Sequence, residues 1–282
     1  MSVYIHGGLR IPIGVLNGQY RNMRPEMLGA QLINELINRY DISQVDGIFC
    51  GNAVGTGGNI GRLMGLMTNL PNSVPAITVD MQCASALMSI EMAYTHIASG
   101  VMDSAIAGGI ESSSLQPDRM YAAGDNREGL YKVAQFSPND CSPLAMLEGA
   151  ERTIQKHNVL KEDLYPYIIG SHKRASEALN NPHLKSYIMP ITIDGKACVD
   201  ECIRPKMNEK LLSRMKPLLG KNSITNAGNA CLTHDGAAFV YVSNEKGPFR
   251  IHSIMPWAGN PQFSPEGALE STKAILKRTD LT

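Results

Sequence analysis

Strand-like and helix-like segments alternate through residues 1–116, and this alternation constrains the fold more than any other feature of the chain. Short runs rich in β-branched residues, such as residues 76–79, are typical of strands. Between them lie segments with apolar residues at helical spacing, the clearest in residues 25–40 and 84–99. Strands joined through helices need right-handed crossovers, which place helices on both faces of a largely parallel sheet. The sequence therefore predicts an α/β fold.

Residues 117–222 break this alternation, because they are more polar and richer in turns. We interpret them as a domain inserted into the α/β core. The core pattern resumes in residues 223–249, and residues 250–282 look like the start of a further domain. The remaining predicted elements are strands at 3–5, 47–50, 104–108, 237–243 and 250–256, and helices at 60–70, 143–157, 164–179 and 265–277.

Composition excludes several classes of protein. The 282 residues include 26 Lys and Arg against 26 Asp and Glu, and this balance argues against a strongly basic nucleic-acid surface. We find no apolar run of about 20 residues and no signal-peptide pattern, so we expect a cytoplasmic protein with no membrane partner. Cys198 and Cys202 lack a second ligand pair, so the sequence predicts reduced thiols rather than a zinc site, and no other metal site.

Cys83 follows the predicted strand at 76–79 and stands at or just before the start of the helix at 84–99. Unpaired N–H groups and the positive end of the helix dipole favour a thiolate there. A thiolate can accept an acyl group from a thioester, and N–H groups of the turn can hold the developing oxyanion. A small buried cysteine that packs like alanine explains the same spacing, and spacing alone favours it.

Six short segments of the chain are informative together. They are R-I-P-I-G at 10–14, G-N-A-V at 51–54, C-A-S-A-L at 83–87, A-G-G-I-E-S at 107–112, T-N-A-G-N-A-C at 225–231 and D-G-A-A at 235–238. These segments resemble motifs of the thiolase family, and they occur in the family's order. The family patterns to which they are similar are R-T-P-I-G, G-N-V, C-x-S-G-x, AGG-x-ES, T-A-G-N-A-S and D-G-A-A. The resemblance covers essentially the whole chain.

The resemblance implies a thiolase-like αβαβα layered fold, of which this chain holds the first half, the inserted loop domain and an incomplete second half. It also implies an acyl-CoA C-acyltransferase that performs Claisen condensation or thiolysis of 3-ketoacyl-CoA in lipid metabolism. Cys83 would carry the acyl group as an acyl-cysteine. The coenzyme A thioester is then the substrate, and no separate cofactor is expected.

Three residues correspond to family positions that contact coenzyme A. Arg204 lies just downstream of a D-E pair and would lie near the nucleotide of coenzyme A. Ala227 and Cys231 belong to the loop that lines the pantetheine channel in the family. Without the resemblance, the simplest account of Arg204 is a solvated surface charge.

The chain departs from the family pattern at three informative positions. Asp80 replaces an asparagine, Ala86 replaces the glycine of C-x-S-G, and Cys231 replaces the serine of the G-N-A-S loop. These departures motivate a second hypothesis, a catalytically silent acyl-CoA-binding or scaffold subunit. A ketosynthase would share the fold and the cysteine, but residues 107–112 and the G-N-A block point away from that class.

The family motifs N-E-A-F, G-H-P and C-x-G are expected beyond the segment that this chain covers. In the family, the G-H-P histidine activates the nucleophile and the later cysteine moves the α-proton. The resemblance therefore implies little activity for this chain alone. It implies completion by a C-terminal half, on a partner chain or in a longer protein, and assembly as a homodimer or homotetramer.

Overall fold

A computed structural model describes residues 1–55, 57–135, 137–138, 142–231 and 233–281. The strands are β1 (Tyr4–Arg10), β2 (Gly14–Val15), β3 (Ile48–Gly51), β4 (Ala76–Val79), β5 (Ser104–Ser112), β6 (Arg119–Met120), β7 (Leu130–Tyr131), β8 (Thr192–Ile193), β9 (Lys196–Ala197), β10 (His234–Ser243) and β11 (Phe249–Arg250). The α-helices are α1 (Pro25–Arg39), α2 (Ile60–Gly65), α3 (Ser85–Ala98), α4 (Ala145–Lys156), α5 (Lys161–Ala178), α6 (Pro182–Lys185), α7 (Glu209–Ser213) and α8 (Glu266–Thr279), and Pro261–Phe263 form a 3₁₀ turn.

The described residues form two compact units. The first contains residues 1–117, 179–202 and 233–254, and the second contains residues 118–178, 203–232 and 255–282. The four-part division expected from the sequence, with boundaries after residues 116, 222 and 249, stays a prediction.

A mixed sheet forms the centre of the first unit, and seven strands of the described chain belong to it. The strand order is β11-β1-β10-β5-β3-β4, and β2 also pairs with β10. Strand β3 is parallel to β4 and β5, whereas β10 is antiparallel to β1, β2 and β5. Strands β1 to β5 therefore share one direction, while β10 and β11 run in the opposite one. The α/β class and the mostly parallel sheet are confirmed.

Successive side chains of β5 pack into two separate buried clusters. Ile106 belongs to a buried cluster that includes Leu32 of α1 and Met64 of α2. Its neighbour Ala107 belongs to a second buried cluster, together with Ile97 of α3. Successive residues of a strand face opposite sides of a sheet, so α1 and α2 cover one face and α3 covers the other.

The second unit is mainly helical and contains the two-stranded sheet of β6 and β7. Tyr165, Met207 and Leu212 form a buried cluster in it. Helix α4 contacts the segment around the 3₁₀ turn, where Arg152 Nε donates to the carbonyl of Gln262 at 2.8 Å. No helix in the described part of the chain is both long and apolar enough to cross a lipid bilayer.

Several sequence-predicted boundaries are wrong. The paired strands β5 and β10 are longer than predicted, because their ladder continues from Ser104 opposite Ser243 to Ser112 opposite Asp235. The helix predicted at 60–70 ends at Gly65. The strand predicted at 250–256 shrinks to β11, because only the first two residues of β1 pair with it.

Candidate active site

Cys83 lies in the connection between β4 and α3, two residues before the first residue of that helix. Its side chain is exposed, which does not fit a small cysteine packed in the core. A thiol beside the N-terminal end of a 14-residue helix experiences the positive end of the helix dipole. An exposed cysteine at this position is the candidate nucleophile of the site.

The turn before Cys83 has an unusual backbone. Gln82 has a φ of 50°, in the left-handed region that residues other than glycine seldom adopt. Asp80 Oδ1 accepts a hydrogen bond from the Gln82 N–H at 2.9 Å. Ser85 Oγ accepts from the Met81 N–H at 2.8 Å and donates to the Gln82 carbonyl at 2.6 Å. Strain of this kind persists only where surrounding contacts impose it.

Some N–H groups of this turn are already engaged. The Ala84 N–H donates to the Met81 carbonyl at 3.1 Å, and the Ser85 N–H donates to the Gln82 carbonyl at 3.0 Å. Together with the Gln82 N–H, these donors stabilise the turn itself. An oxyanion formed on Cys83 must therefore be held by other donors.

Two glycines let α3 approach the sheet closely. A Cβ atom added to Gly51 would lie 2.5 Å from the backbone nitrogen of Ala86 and 2.6 Å from the carbonyl carbon of Ser85. A Cβ atom added to Gly109 would lie 3.2 Å from the Ala86 methyl carbon. The G-N-A-V and A-G-G motifs thus pack against the first turn of α3, and the methyl group of Ala86 fits because Gly109 has no side chain.

Glu111 organises the loop that follows β3. Its carboxylate accepts hydrogen bonds from the N–H groups of Ala53, Val54 and Gly55 at 2.9, 2.8 and 3.1 Å. It also accepts from Asn52 Nδ2 at 3.0 Å. A carboxylate with several N–H donors gives charge-assisted hydrogen bonds, so it stabilises a loop of defined shape. This explains the acidic residue near the end of the A-G-G-I-E-S segment.

The D-E pair has a structural role that sequence reasoning missed. Asp200 accepts hydrogen bonds from Arg10 Nη1 and Nη2 at 2.8 and 2.7 Å, and from the Ile13 N–H at 2.7 Å. Burial raises the pKa of Asp200, but the hydrogen bonds from Arg10 and Ile13 outweigh it, so the pKa lies below its ordinary value. Glu201 Oε2 accepts from the Val15 N–H at 3.0 Å.

Arg204 and Ala227 line one groove of the second unit, with a volume of about 760 Å³. Both residues are exposed. The groove combines cationic and apolar side chains, namely those of Lys206, Lys216, Met207, Leu211, Met215 and Leu218. Such a lining suits a ligand that has anionic groups and an apolar chain. Cys231 is exposed but is not among the residues that line this groove, and Cys83 belongs to the first unit.

Glu151 of α4 holds the loop that carries Ala227. Its carboxylate accepts hydrogen bonds from the hydroxyls of Ser223 and Thr225 at 2.8 and 2.6 Å. It also accepts from the N–H groups of Ile224 and Thr225, both at 3.2 Å. Burial raises the pKa of Glu151, but these bonds outweigh it and lower the pKa. No local pattern marks Glu151 in the sequence, because its partners lie 72 to 74 residues later.

Among the residues that the structure describes, no group of three or more His, Cys, Asp and Glu side chains is arranged to hold a metal ion.

Comparisons with known proteins agree on one family. The model of the thiolase N-terminal domain matches residues 3–246. A Staphylococcus epidermidis protein provisionally named acetyl-CoA C-acetyltransferase VraB is 32% identical over 97% of this chain and 75% of its own length. Its Staphylococcus aureus counterpart is 29% identical over 97% of this chain and 76% of its own length.

A solved structure shows the same fold. The crystal structure of Bacillus anthracis acetyl-CoA acetyltransferase superposes with a TM-score of 0.87 and 23% sequence identity, covering all of this chain and 77% of the solved chain. The thiolase-like fold expected from the motifs is therefore confirmed. On the family model and the identity to these relatives, this chain belongs to the thiolase family.

Proposed function

We propose that this chain is the acyl-accepting part of a thiolase-type acyl-CoA C-acyltransferase, with Cys83 as its nucleophile. The observation that carries the proposal is the exposed thiol of Cys83. Cys83 follows Gln82, which has a left-handed backbone, and lies two residues before α3. Membership of the thiolase family and the acetyltransferase names of the relatives support it. Acetyl-CoA is accordingly the first substrate to test.

Acyl transfer requires a thiolate nucleophile on the enzyme and a second thiolate, that of coenzyme A, as the leaving group. The Cys83 sulfur attacks the carbonyl carbon of an acyl-CoA, and the electron pair of the C=O bond moves to oxygen. Collapse of this oxyanion breaks the carbon–sulfur bond to coenzyme A, which leaves as a thiolate while the acyl group stays on Cys83. The carbanion of a second acyl-CoA, formed by loss of its α-proton to a base, then attacks the acyl carbon. This releases a 3-ketoacyl-CoA and regenerates the Cys83 thiolate, and the reverse sequence is thiolysis.

The groove of the second unit is proposed to bind the coenzyme A part of the substrate. Arg204 and two lysines, Lys206 and Lys216, supply positive charge for phosphate groups. The apolar side chains of the groove suit the pantetheine chain. The small side chain of Ala227 lines this groove, and the exposed Cys231 follows it on the same loop. We propose Arg204, Ala227 and Cys231 as substrate-binding residues on these grounds.

We further propose that acyl transfer needs residues outside this segment. The chain spans about three-quarters of the length of the relatives it matches. The base that activates Cys83 and the group that moves the α-proton are proposed to come from a C-terminal half, on a partner chain or in a longer protein. The complete enzyme is proposed to be a cytoplasmic homodimer or homotetramer in lipid metabolism.

Intact-mass spectrometry after incubation with acetyl-CoA tests the nucleophile. The protein is assayed together with any chain that co-purifies with it. We expect a single acetyl adduct that is absent from Cys83→Ala and present in Cys231→Ala. The second variant is a matched control, because Cys231 is also an exposed thiol.

Three results contradict the proposal or part of it. An adduct that persists in Cys83→Ala would show that another residue is acylated. A complete protein that forms no adduct but binds coenzyme A would be a catalytically silent acyl-CoA-binding subunit. Robust thiolysis by the 282-residue chain alone would contradict the need for a C-terminal half.

A further inference from the structure

We propose that Ser85 is a positioning residue for Cys83, and that its hydroxyl sets the reactivity of the Cys83 thiol by holding the turn that presents it. The proposal rests on the proposed function only in naming Cys83 as the reactive group. Ser85 acts through the backbone on either side of Gln82 and is not itself expected to contact the substrate.

The Ser85 hydroxyl closes the turn from both sides. Its oxygen accepts from the Met81 N–H at 2.8 Å, and its proton is directed at the Gln82 carbonyl at 2.6 Å. Met81 and Gln82 precede Cys83, whereas Ser85 is the first residue of α3. One side chain therefore connects the chain that enters the turn to the start of α3.

The left-handed backbone of Gln82 needs this support. A residue with a Cβ atom adopts a φ of 50° only when neighbouring contacts hold it there. The Gln82 carbonyl accepts two hydrogen bonds, from the Ser85 hydroxyl and from the Ser85 N–H. Removing the hydroxyl deprives the Met81 N–H of its acceptor and the Gln82 carbonyl of one donor. The turn can then relax towards negative φ, and Cys83 moves away from the start of the helix.

The surroundings of Ser85 make the hydroxyl hard to replace by solvent. Only 4% of Ser85 is exposed. Its backbone lies against Gly51 of β3, where an added Cβ atom would come within 2.6 Å of the Ser85 carbonyl carbon. Water therefore has little room to take over the two hydrogen bonds.

Alkylation of individual cysteines by iodoacetamide, quantified by peptide mass spectrometry from about pH 6 to about pH 10, tests the proposal without any substrate. We expect Ser85→Ala to slow alkylation of Cys83 by about tenfold near neutral pH and to raise the midpoint of its pH profile. Ser85→Thr keeps a hydroxyl and should restore the rate to within about threefold of the parent protein. Ser99→Ala removes a serine hydroxyl at the other end of α3 and should change nothing at Cys83.

The same samples contain internal controls. The exposed Cys231 should react at an unchanged rate in every variant. Cys50 is buried, and burial raises its pKa to about 12, so its alkylation reports unfolding rather than a local change. A Ser85→Ala protein with the parent rate and pH profile at Cys83 overturns the proposal.

A second measurement does not depend on any variant folding. In the parent protein, the Met81 amide should exchange with deuterium much more slowly than an exposed amide, because it donates a hydrogen bond to Ser85 Oγ. Exchange at the rate of an exposed amide overturns the proposal. If acetyl-CoA leaves no adduct but Ser85→Ala still slows alkylation, the proposed function fails and the positioning role stands.

Discussion

Arg10 and Asp200, which are 190 residues apart in the chain, form a bidentate ion pair with N–O distances of 2.8 and 2.7 Å. The pair joins the R-I-P-I-G segment at the end of β1 to the D-E segment. Asp200 also accepts the Ile13 N–H, so one carboxylate holds both the side chain and the backbone of the first motif. The side chain of Asp200 is 5% exposed and that of Arg10 is 34% exposed.

Breaking this pair from the arginine side should destabilise the first unit. Arg10→Met leaves a nearly buried carboxylate without its partner, and we expect a loss of about 2–4 kcal/mol in the free energy of unfolding. Urea denaturation followed by circular dichroism measures it. The control is Lys273→Met, which breaks the exposed pair with Glu270 and should cost less than about 0.5 kcal/mol. Equal losses in the two variants would contradict the assigned role.

Protonation of Asp200 should lower the free energy of unfolding at acid pH. The pKa of Asp200 is lower in the folded protein than its ordinary value of 3.8. Its contribution to stability is therefore fully present well above pH 3.8 and is lost as the pH falls through the lower, folded-state pKa. The unfolding free energy should decrease less below about pH 4 in Asp200→Asn than in the parent protein. Parallel pH curves for the two proteins would rule this out.

Gly51→Ala should separate α3 from β3. The added methyl group would meet backbone atoms of Ser85 and Ala86, which cannot rotate away as a side chain can. We expect a loss of about 1–3 kcal/mol and slower alkylation of Cys83. Gly267→Ala is the matched control, because its added Cβ has no atom within 4 Å apart from its chain neighbours and the backbone of its own helix, and alanine favours helix α8. That variant should be more stable by about 0.5–1 kcal/mol.

Glu151→Gln should loosen the loop that carries Ala227. A glutamine offers one acceptor oxygen and no charge, so it cannot satisfy the donors of Ser223 and Thr225 equally well. We expect about 1–3 kcal/mol lower stability and weaker binding of coenzyme A, measured by calorimetry. Glu148→Gln, on the same helix, removes a carboxylate that Ser142 contacts and should leave binding unchanged. Unchanged affinity for coenzyme A in Glu151→Gln would show that Glu151 does not support binding by the groove.

Gln82→Gly should be tolerated, whereas Gln82→Val should destabilise the turn. Glycine adopts a positive φ without steric cost, so its variant should lie within about 1 kcal/mol of the parent protein. Valine is β-branched, and the left-handed conformation should cost it about 1–2 kcal/mol more than glutamine. Thermal unfolding compares the three proteins. A valine variant as stable as the parent protein would show that the left-handed turn is not maintained in solution.

The sequence by itself determined the class of fold and the position of the cysteine. Helical spacing predicted α1 and α3 to within a residue at each end, and β-branched residues predicted β4 without error. These elements could be predicted because their stabilising patterns are local. The family motifs around Cys83 were equally local, because each lies at a strand end or a helix start.

Only the tertiary structure decided what the motif residues contact. The antiparallel position of β10 between β1 and β5 depends on a pairing across more than 120 residues, for which no local pattern exists. The same holds for Arg10 with Asp200 and for Glu151 with Thr225. From the sequence alone, the simplest account of such a charged residue is a solvated surface charge, because its hydrogen-bond partners are distant in the chain. The left-handed φ of Gln82 is also a tertiary outcome, because intrinsic preference disfavours it and contacts from Asp80 and Ser85 impose it.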